Sequence, residues 1–392
     1  MIGLALSGGG ARAMAFHLGC LRALDDLGVL RQIAVLSTIS GGSVIGAYYA
    51  YTPEKSFAEF EADMRRFLRQ GFQREIVLEL MKPWNLVRCL GSAVATTADG
   101  IVSRLGGREP RVMRYPSRSD LFHGILGRAG FSHLRMSSPR RQNLEVVIGA
   151  CELRTGTAFR FSNSTAGSWR HGSLVEPDVE VAFAVAASAA YPLLLPAFDR
   201  RWMFRKGDRT NEGRVLLTDG GVYDNLGAAV LEPGRDDAYS LHSYACDHLI
   251  VCSAGQGQAS GALLPLAFLD RIRRSFGVVH RRVQDSAMQR LHTLKEAGLI
   301  KGFALPYLGQ QDAKLPWEPA GLIPRAAVID YPTNFAPMSD AWIDRLSSRG
   351  EQLTTLLVSH YLPEICHWHS ISPNGIGGTG CVRGQMALFS HF

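Results

Sequence analysis

The sequence predicts an α/β fold on a mainly parallel sheet, and three observations carry that reading. An apolar run from Ile2 to Leu6 meets three glycines and then a helical pattern. A second run, Ile33 to Thr38, meets Gly41 and Gly42 and then another helical pattern. Strands alternating with helices through short glycine turns are the signature of parallel βα units. A third run, Val215 to Thr218, ends in Asp219, Gly220 and Gly221. Functional side chains of such sheets gather at strand ends of this kind.

The first strand leads through Gly8, Gly9, Gly10, Ala11 and Arg12 into a helix from about Ala13 to Leu27, stopped by Gly28. Leu18, Leu21, Leu24 and Leu27 give it an apolar stripe, with Arg22, Asp25 and Asp26 off that stripe. A glycine loop between strand and helix offers backbone N–H groups to an anion. Three uses compete for it. A dinucleotide site wants G-x-G-x-x-G and an acidic residue closing the second strand, where this chain has Ser40 and Gly41. A phosphate-binding loop wants Gly-Lys-Ser/Thr, which is missing. The third use is an oxyanion hole made by the N–H groups near Gly9 and Gly10, where one lost donor costs roughly 2.7–4 kcal/mol of transition-state stabilisation. Arg12 anchors the loop, meets a lipid phosphate, or sits on the surface of the first helical turn.

Ser40 stands between the second strand and the helix that starts at Val44. A serine in that turn has its hydroxyl pushed outward, with small neighbours leaving room for a substrate carbonyl. The helix N-terminus behind it adds unpaired N–H groups and a partial positive charge. Thr38 occupies the first glycine position of G-x-S-x-G, so the bland alternative is a serine N-cap.

Ser56 to Gln70 reads as a helix opened by a Ser56–Glu59 capping box and ended by Gly71. Over residues 72–107, Phe72, Ile76, Val77, Leu80 and Met81 make an apolar face, followed by Pro83, Trp84 and a small-residue stretch to Leu105. An interfacial segment or lid within 70–135 and a helix packed on the sheet both fit, and the core helix is preferred. Residues 106–118 read as a basic exposed loop. Asn143 to Ala150 is a strand, and Thr157 to Ser162 alternates like a half-exposed antiparallel strand. Val179 to Ala190 is a close-packed helix of small residues, and Leu193 to Phe198 a buried loop. His248 to Ser253 is a core strand. A long amphipathic helix from about Pro265 to Glu296 carries a stripe from Phe268, Ile272, Phe276, Val279 and Val283 to Leu291 and Leu294, with six arginines on its other faces. Docking of that stripe on the sheet is preferred to membrane contact. Residues 306–337 read as a long surface loop and Ser339 to Tyr361 as a last helix.

Composition bounds the rest. With 392 residues, 46% apolar and 20% charged, the chain has enough material for one large domain, expected over 1–365, and an irregular tail, 366–392. The net charge of +7 comes without a run of like charges, which argues against nucleic acid. It suits an anionic membrane surface, where each cation contributes roughly 1 kcal/mol. Seven cysteines without C-x-x-C spacing argue against a disulfide framework or a zinc site and for a reducing compartment. His367, His369 and His391 beside Cys366 lack a second paired ligand set, so no metal is expected. No basic leader precedes the first strand and no 18-residue apolar run occurs, so the sequence predicts a cytoplasmic protein whose lipid contact is peripheral.

A serine nucleophile needs a base. His17, His248, His280 and His292 all fall inside helices or at a strand start, while Asp219 follows a late strand. A carboxylate can serve if burial raises its pKa toward the working pH.

Taken in order, Gly8 to Arg12, Ile39 to Ser43 and Asp219 to Gly221 resemble the patatin-like phospholipase family: its glycine loop, its nucleophile turn and its aspartate motif. Val185 to Pro192 is similar to the small-residue segment that precedes the aspartate there. The resemblance covers roughly residues 1–255. It implies a three-layer α/β/α sandwich, a Ser–Asp dyad and hydrolysis of lipid acyl esters with no cofactor and no metal. Carried over, Ser40 is the nucleophile within the elbow Thr38, Gly41 and Gly42. Asp219, with Gly220 and Gly221, is the base, and the Gly8–Gly10 loop is the oxyanion hole. The expected partner is a membrane phospholipid or lysophospholipid, and the alternative is a non-catalytic lipid-binding scaffold. Two positions depart from the family pattern: Thr38, and Ala13 where a glycine often follows the arginine.

Overall fold

The computed structural model describes residues 1–53, 56–192, 194–236, 238–257, 261 and 264–366. The tail with His367, His369 and His391 lies outside them, as does Cys381; the six described cysteines are free thiols. The first half of the chain forms β1 (Ile2–Leu6), α1 (Gly10–Asp26), β2 (Ile33–Ile39), α2 (Gly41–Tyr51), α3 (Phe57–Gln70), α4 (Gln73–Met81), α5 (Pro83–Leu105), α6 (Arg118–Leu126), β3 (Glu145–Glu152), β4 (Thr157–Ser162), β5 (Ala166–Ser168) and β6 (Gly172–Leu174). The second half forms α7 (Val181–Ser188), β7 (Phe198–Lys206), β8 (Arg209–Asp219), β9 (His248–Cys252), α8 (Phe268–Glu296), β10 (Gly302–Ala304) and α9 (Asp340–Tyr361).

The ten strands lie in the order β10-β9-β1-β2-β3-β4-β5-β6-β7-β8, and β8 returns to pair with β3. From β10 to β3 every pairing is parallel. From β3 onward every pairing is antiparallel, so β3 to β8 close into a barrel-like ring. The expected mainly parallel sheet is therefore only half of the real one. Short connections decide this: Glu152 faces Thr157 across a turn with Gly156 at φ 65°, and Lys206 faces Arg209 across Gly207 at φ 58°. Turns that short join antiparallel strands, because a parallel crossover needs a dozen residues or more. The closure also buries β4 along its length, where the alternation suggested a half-exposed strand.

In the parallel half both faces of the sheet are covered, which is why its strands are continuous apolar runs. Leu4, Leu6, Leu36, Ile148 and Ile250 share one core with α1, α2 and α9. Ala5, Val35, Val147, Leu249 and Val251 share a second core with Leu226, Leu231, Leu291 and Leu294. The stripe of leucines on α1 understates its burial, since Gly10 through Leu21 are all buried. α9 presses on α1 on the same face of the sheet with almost no space between backbones. A Cβ on Gly19 would fall 1.7 Å from the Ser347 carbonyl oxygen, and one on Gly350 2.1 Å from that of Phe16.

Two helices depart from the sequence reading. α8 docks only by its C-terminal part, through Leu291 and Leu294. Phe268, Ile272, Phe276, Val279 and Val283 are exposed. α5 packs on α4 and not on the sheet, leaving Trp84 71% and Val94 68% exposed, so the preferred core reading fails there. A helical period marks an apolar face without saying what covers it. Residues 306–337, expected at the surface, are partly drawn in. Tyr307, Leu308, Val328 and Tyr331 are buried, and the fully buried Arg349 donates to the carbonyls of Leu308, Gln310 and Ile323. No described helix is long and apolar enough to cross a membrane.

The α1–α9 contact gives a direct test. Gly350→Ala should destabilise the fold by about 1–3 kcal/mol in urea unfolding, because the added methyl meets backbone that has no slack.

Candidate active site

β1 and β2 are parallel neighbours in register, Leu6 opposite Thr38, so the turns that follow them lie side by side. They meet backbone to backbone. A Cβ on Gly41 would lie 2.2 Å from the Gly10 carbonyl oxygen, and one on Gly42 2.3 Å from that of Leu6. Gly9 and Gly10 turn the loop into α1 with φ of 147° and 61°, and a Cβ on Gly10 would fall 2.4 Å from the Asn334 carbonyl oxygen. Ser40 has φ 52° and ψ −118°, a conformation that costs a non-glycine residue of order 1–3 kcal/mol.

Ser188 holds that turn. The Ser40 N–H donates to the Ser188 hydroxyl at 2.9 Å, and that hydroxyl donates to the Gly149 carbonyl at 2.6 Å. The Ser43 hydroxyl lies 2.9 Å from the Ser188 hydroxyl oxygen. With its backbone fixed, Ser40 directs its hydroxyl to Asp219, donating to Oδ2 at 2.7 Å. Oδ1 of Asp219 accepts the Gly221 N–H at 2.7 Å. A Cβ on Gly220 would fall 2.3 Å from the Gly149 carbonyl oxygen, so this turn too is backbone against backbone. Asp219 ends its own strand, as expected, but β8 is antiparallel to β3, with Asp219 opposite Ala150. The carboxylate therefore reaches Ser40 from the antiparallel half and not from the end of a parallel strand. It is 4% exposed, and burial pushes its pKa up to about 6 against the opposing pull of the Ser40 and Gly221 hydrogen bonds.

The glycine loop divides its work. The Gly8 N–H donates to the Asn225 carbonyl at 3.0 Å, which removes it from the expected set of oxyanion donors. Among the described residues, the N–H groups of Gly9 and Gly10 have no carbonyl partner. What Gly8 provides is proximity: a Cβ there would lie 3.2 Å from the Ser40 Cβ and 2.4 Å from Oδ1 of Asn225. That same Oδ1 would lie 2.6 Å from a Cβ on Gly221, so Asn225 fills the gap between the two glycine turns. Arg12 is buried, not on the surface. Its Nε donates to the Ala254 carbonyl at 3.0 Å and its Nη1 to the Tyr331 carbonyl at 2.9 Å, and burial lowers its pKa to about 10. Those bonds make it a loop anchor. Thr38 is also buried, and its methyl would lie 2.5 Å from a Cβ on Gly46, so the bulk at the first elbow position is accommodated in α2. Ala13 is buried beneath the loop, its Cβ 3.2 Å from where a Gly9 Cβ would lie.

Ser40, Asp219 and the three glycines line a pocket of about 440 Å³. Its walls are Ile76, Val77 and Leu80 of α4, Phe276 and His280 of α8, and Tyr191 with Leu194. Leu193, the start of the expected buried loop, lies outside the described residues, and Leu194 is half exposed at the pocket. His280 was assigned by its sequence position to a helix interior, yet it faces this site. Gln284 donates to its Nε2 at 3.1 Å, and burial lowers its pKa against a hydrogen bond with the Gly221 backbone. The hydroxyl partner of Ser40 is nonetheless Asp219. Ser188 and Asn225 escape the sequence reading, which sets His280 aside as a helix residue. For Ser188 the one available signal was its place within the small-residue segment before Asp219.

The sequence model of the patatin-like phospholipases matches residues 4–231, more than half of the chain, and the chain belongs to that family. Among solved structures it is similar to human GIVD cytosolic phospholipase A2, at 13% identity and a TM-score of 0.52, over 92% of this chain and 61% of that one. The same human protein in complex with methyl gamma-linolenyl fluorophosphonate and terbium chloride gives a TM-score of 0.50 at 13% identity, over 92% and 58% of the two chains. VipD from Legionella pneumophila gives 0.37 at 14% identity, over 92% and 67%. The chain thus spans about three fifths of the human structures it matches, and at this identity the likeness is one of fold. No curated protein sequence matches it.

Removing the Ser188 hydroxyl leaves two buried backbone groups without their partner. Ser188→Ala should lower stability by about 1–3 kcal/mol, measured by urea unfolding.

Proposed function

We propose that this chain is a serine lipid acyl hydrolase of the phospholipase A or lysophospholipase type, with residues 1–365 as one catalytic domain. The observation that carries the reading is the buried 2.7 Å hydrogen bond from the Ser40 hydroxyl to Asp219. In the proposed reaction Asp219 takes the Ser40 proton as Oγ attacks the ester carbonyl. The oxyanion is met by the N–H groups of Gly9 and Gly10 and by the positive ends of α1 and α2. Collapse breaks the ester bond, and the leaving lysolipid or glycerol oxygen takes the proton from Asp219. Water then attacks the acyl-Ser40 ester and passes a proton to Asp219. Ser40 recovers that proton as the fatty acid leaves. Ile76, Val77, Leu80 and Phe276 line the pocket with the apolar surface an acyl chain needs.

A fluorophosphonate probe is expected to label the wild type and leave Ser40→Ala unlabelled; equal labelling of both would refute the nucleophile. Asp219→Asn should fold and lose roughly 10²–10⁴ in turnover of a soluble ester. Because burial raises the Asp219 pKa from 3.8 to about 6, the protonated carboxyl is favoured in the fold. Its contribution to stability is complete below pH 3.8 and is lost as pH rises through about 6. Asp219→Asn should therefore raise the melting temperature at pH 8 more than at pH 4, by the equivalent of up to about 3 kcal/mol. The base works as carboxylate, so kcat/KM of the wild type should climb with pH and level off above about 6.

A further inference from the structure

The pocket lies between α4 and α8, and two helices at this site, α8 itself and the α5 that packs on α4, leave apolar faces in solvent. On α5, Val87, Leu90, Val94, Ile101 and Leu105 recur at helical spacing on one face, and Trp84 precedes them; their exposure runs from 57% at Leu90 to 85% at Leu105. On α8, Phe268, Ile272, Phe276, Val279 and Val283 do the same, with Phe268 67% and Val279 63% exposed. Phe276 belongs both to this stripe and to the pocket wall, and α4, on which α5 packs, supplies the opposite wall through Ile76, Val77 and Leu80. Exposed apolar surface of this extent is uncommon on a protein that works in water alone.

We infer that α5 and the N-terminal part of α8 form a docking surface for an anionic lipid bilayer, seating the mouth of the pocket on the membrane. This rests on the reading of Ser40 as a lipid-cleaving nucleophile. Charge selects the occupant. Arg88, Arg104, Arg271, Arg273, Arg274 and Arg282 are exposed on these two helices and have no carboxylate partner among the described residues. Several of the neighbouring acids are occupied. Glu79 is held by Lys82 and Arg128, Asp99 by the N–H groups of Arg111 and Val112, and Asp285 by Arg281, which leaves Glu75, Asp270 and Glu296 on α4 and α8 against the six arginines. A second copy of the chain packed on the same face would set these arginines against their own equivalents. An anionic bilayer offers phosphates to the arginines and acyl chains to the stripes. α5 spans about 34 Å at 1.5 Å per residue, but it is too polar to cross, so it lies in the plane of the headgroups. In that position the apolar stripes run from the bilayer to the pocket wall, and an acyl chain moves from lipid to Ser40 without crossing open water.

The test uses the full chain, sedimented with phosphatidylcholine vesicles that contain or lack phosphatidylglycerol. Val87→Glu with Val94→Glu, and separately Ile272→Glu with Val279→Glu, break each stripe at positions outside the pocket. The wild type should bind the anionic vesicles, less so at high salt. Each pair should weaken binding about tenfold or more while leaving the melting temperature and hydrolysis of a soluble short-chain ester unchanged. A wild type that ignores anionic vesicles, or variants that bind as it does, overturns the inference. So does light scattering that finds a wild-type dimer which both pairs convert to monomer. Sedimentation reads binding without turnover, so a protein that binds vesicles but cleaves no ester would sink the enzymatic reading and leave the docking surface standing.

Discussion

Two strand-end turns share a space too narrow for any side chain, and the site is arranged around that contact. The Gly41 backbone lies on the Gly10 carbonyl and the Gly42 backbone on the Leu6 carbonyl, so α1 and α2 begin side by side, from adjacent parallel strands. Their N-terminal partial charges therefore converge on one spot. Holding Ser40 there needs an unfavourable φ, offset by the Ser188 hydroxyl, by the Gly149 carbonyl it reaches, and by the fully buried helices behind. Arg12 and Asn225 fix the loop from its other side through backbone carbonyls. For the proposed reaction that rigidity matters, because preorganised donors are where much of an enzyme's electrostatic effect originates.

Asp219 is placed in a setting that is poor for stability and good for a base. Desolvation raises its pKa, while Ser40 and Gly221 supply enough hydrogen bonding to keep it from rising further. The antiparallel ring delivers it: β8 arrives against β3 and ends beside Gly149, the residue that also anchors Ser188. The same stretch of β3 thus positions the Ser40 turn and receives the strand that ends in Asp219. His280 stands across the Gly221 turn, with its pKa lowered and Gln284 on its Nε2.

How far the sequence can be read depends on the range of the interaction that fixes each feature. β1, β2, β9 and the first part of β3 are buried on both faces, so their apolar runs and glycine turns are visible locally. Ser40, Asp219 and the loop stand out because each closes such a run. The ring from β3 to β8 is not visible, since β5 and β6 are three residues each and carry no period. Ser188, Asn225 and His280 matter through residues far along the chain, Ser40 and Gly149, Gly8, and Gly221 respectively, which no local pattern marks. The distinction between Gly8 and its two neighbours is equally non-local, because the Asn225 carbonyl makes it. On α8 the period is visible in the sequence and its burial is not, because periodicity carries no information about the partner; over α5 the sequence shows only Trp84 and a small-residue stretch.

Closing β8 back onto β3 has a consequence for how the molecule meets its neighbours. An open sheet ends in two rows of unpaired backbone groups, each a template on which another chain can add a strand. Here one end of the sheet is joined to its own middle through Leu217 to Asp219, and the far edge, β10, is only three residues long. The part of β8 that does not pair with β3 begins with Arg209, Glu212 and Arg214, charges that discourage another chain from adding a strand there.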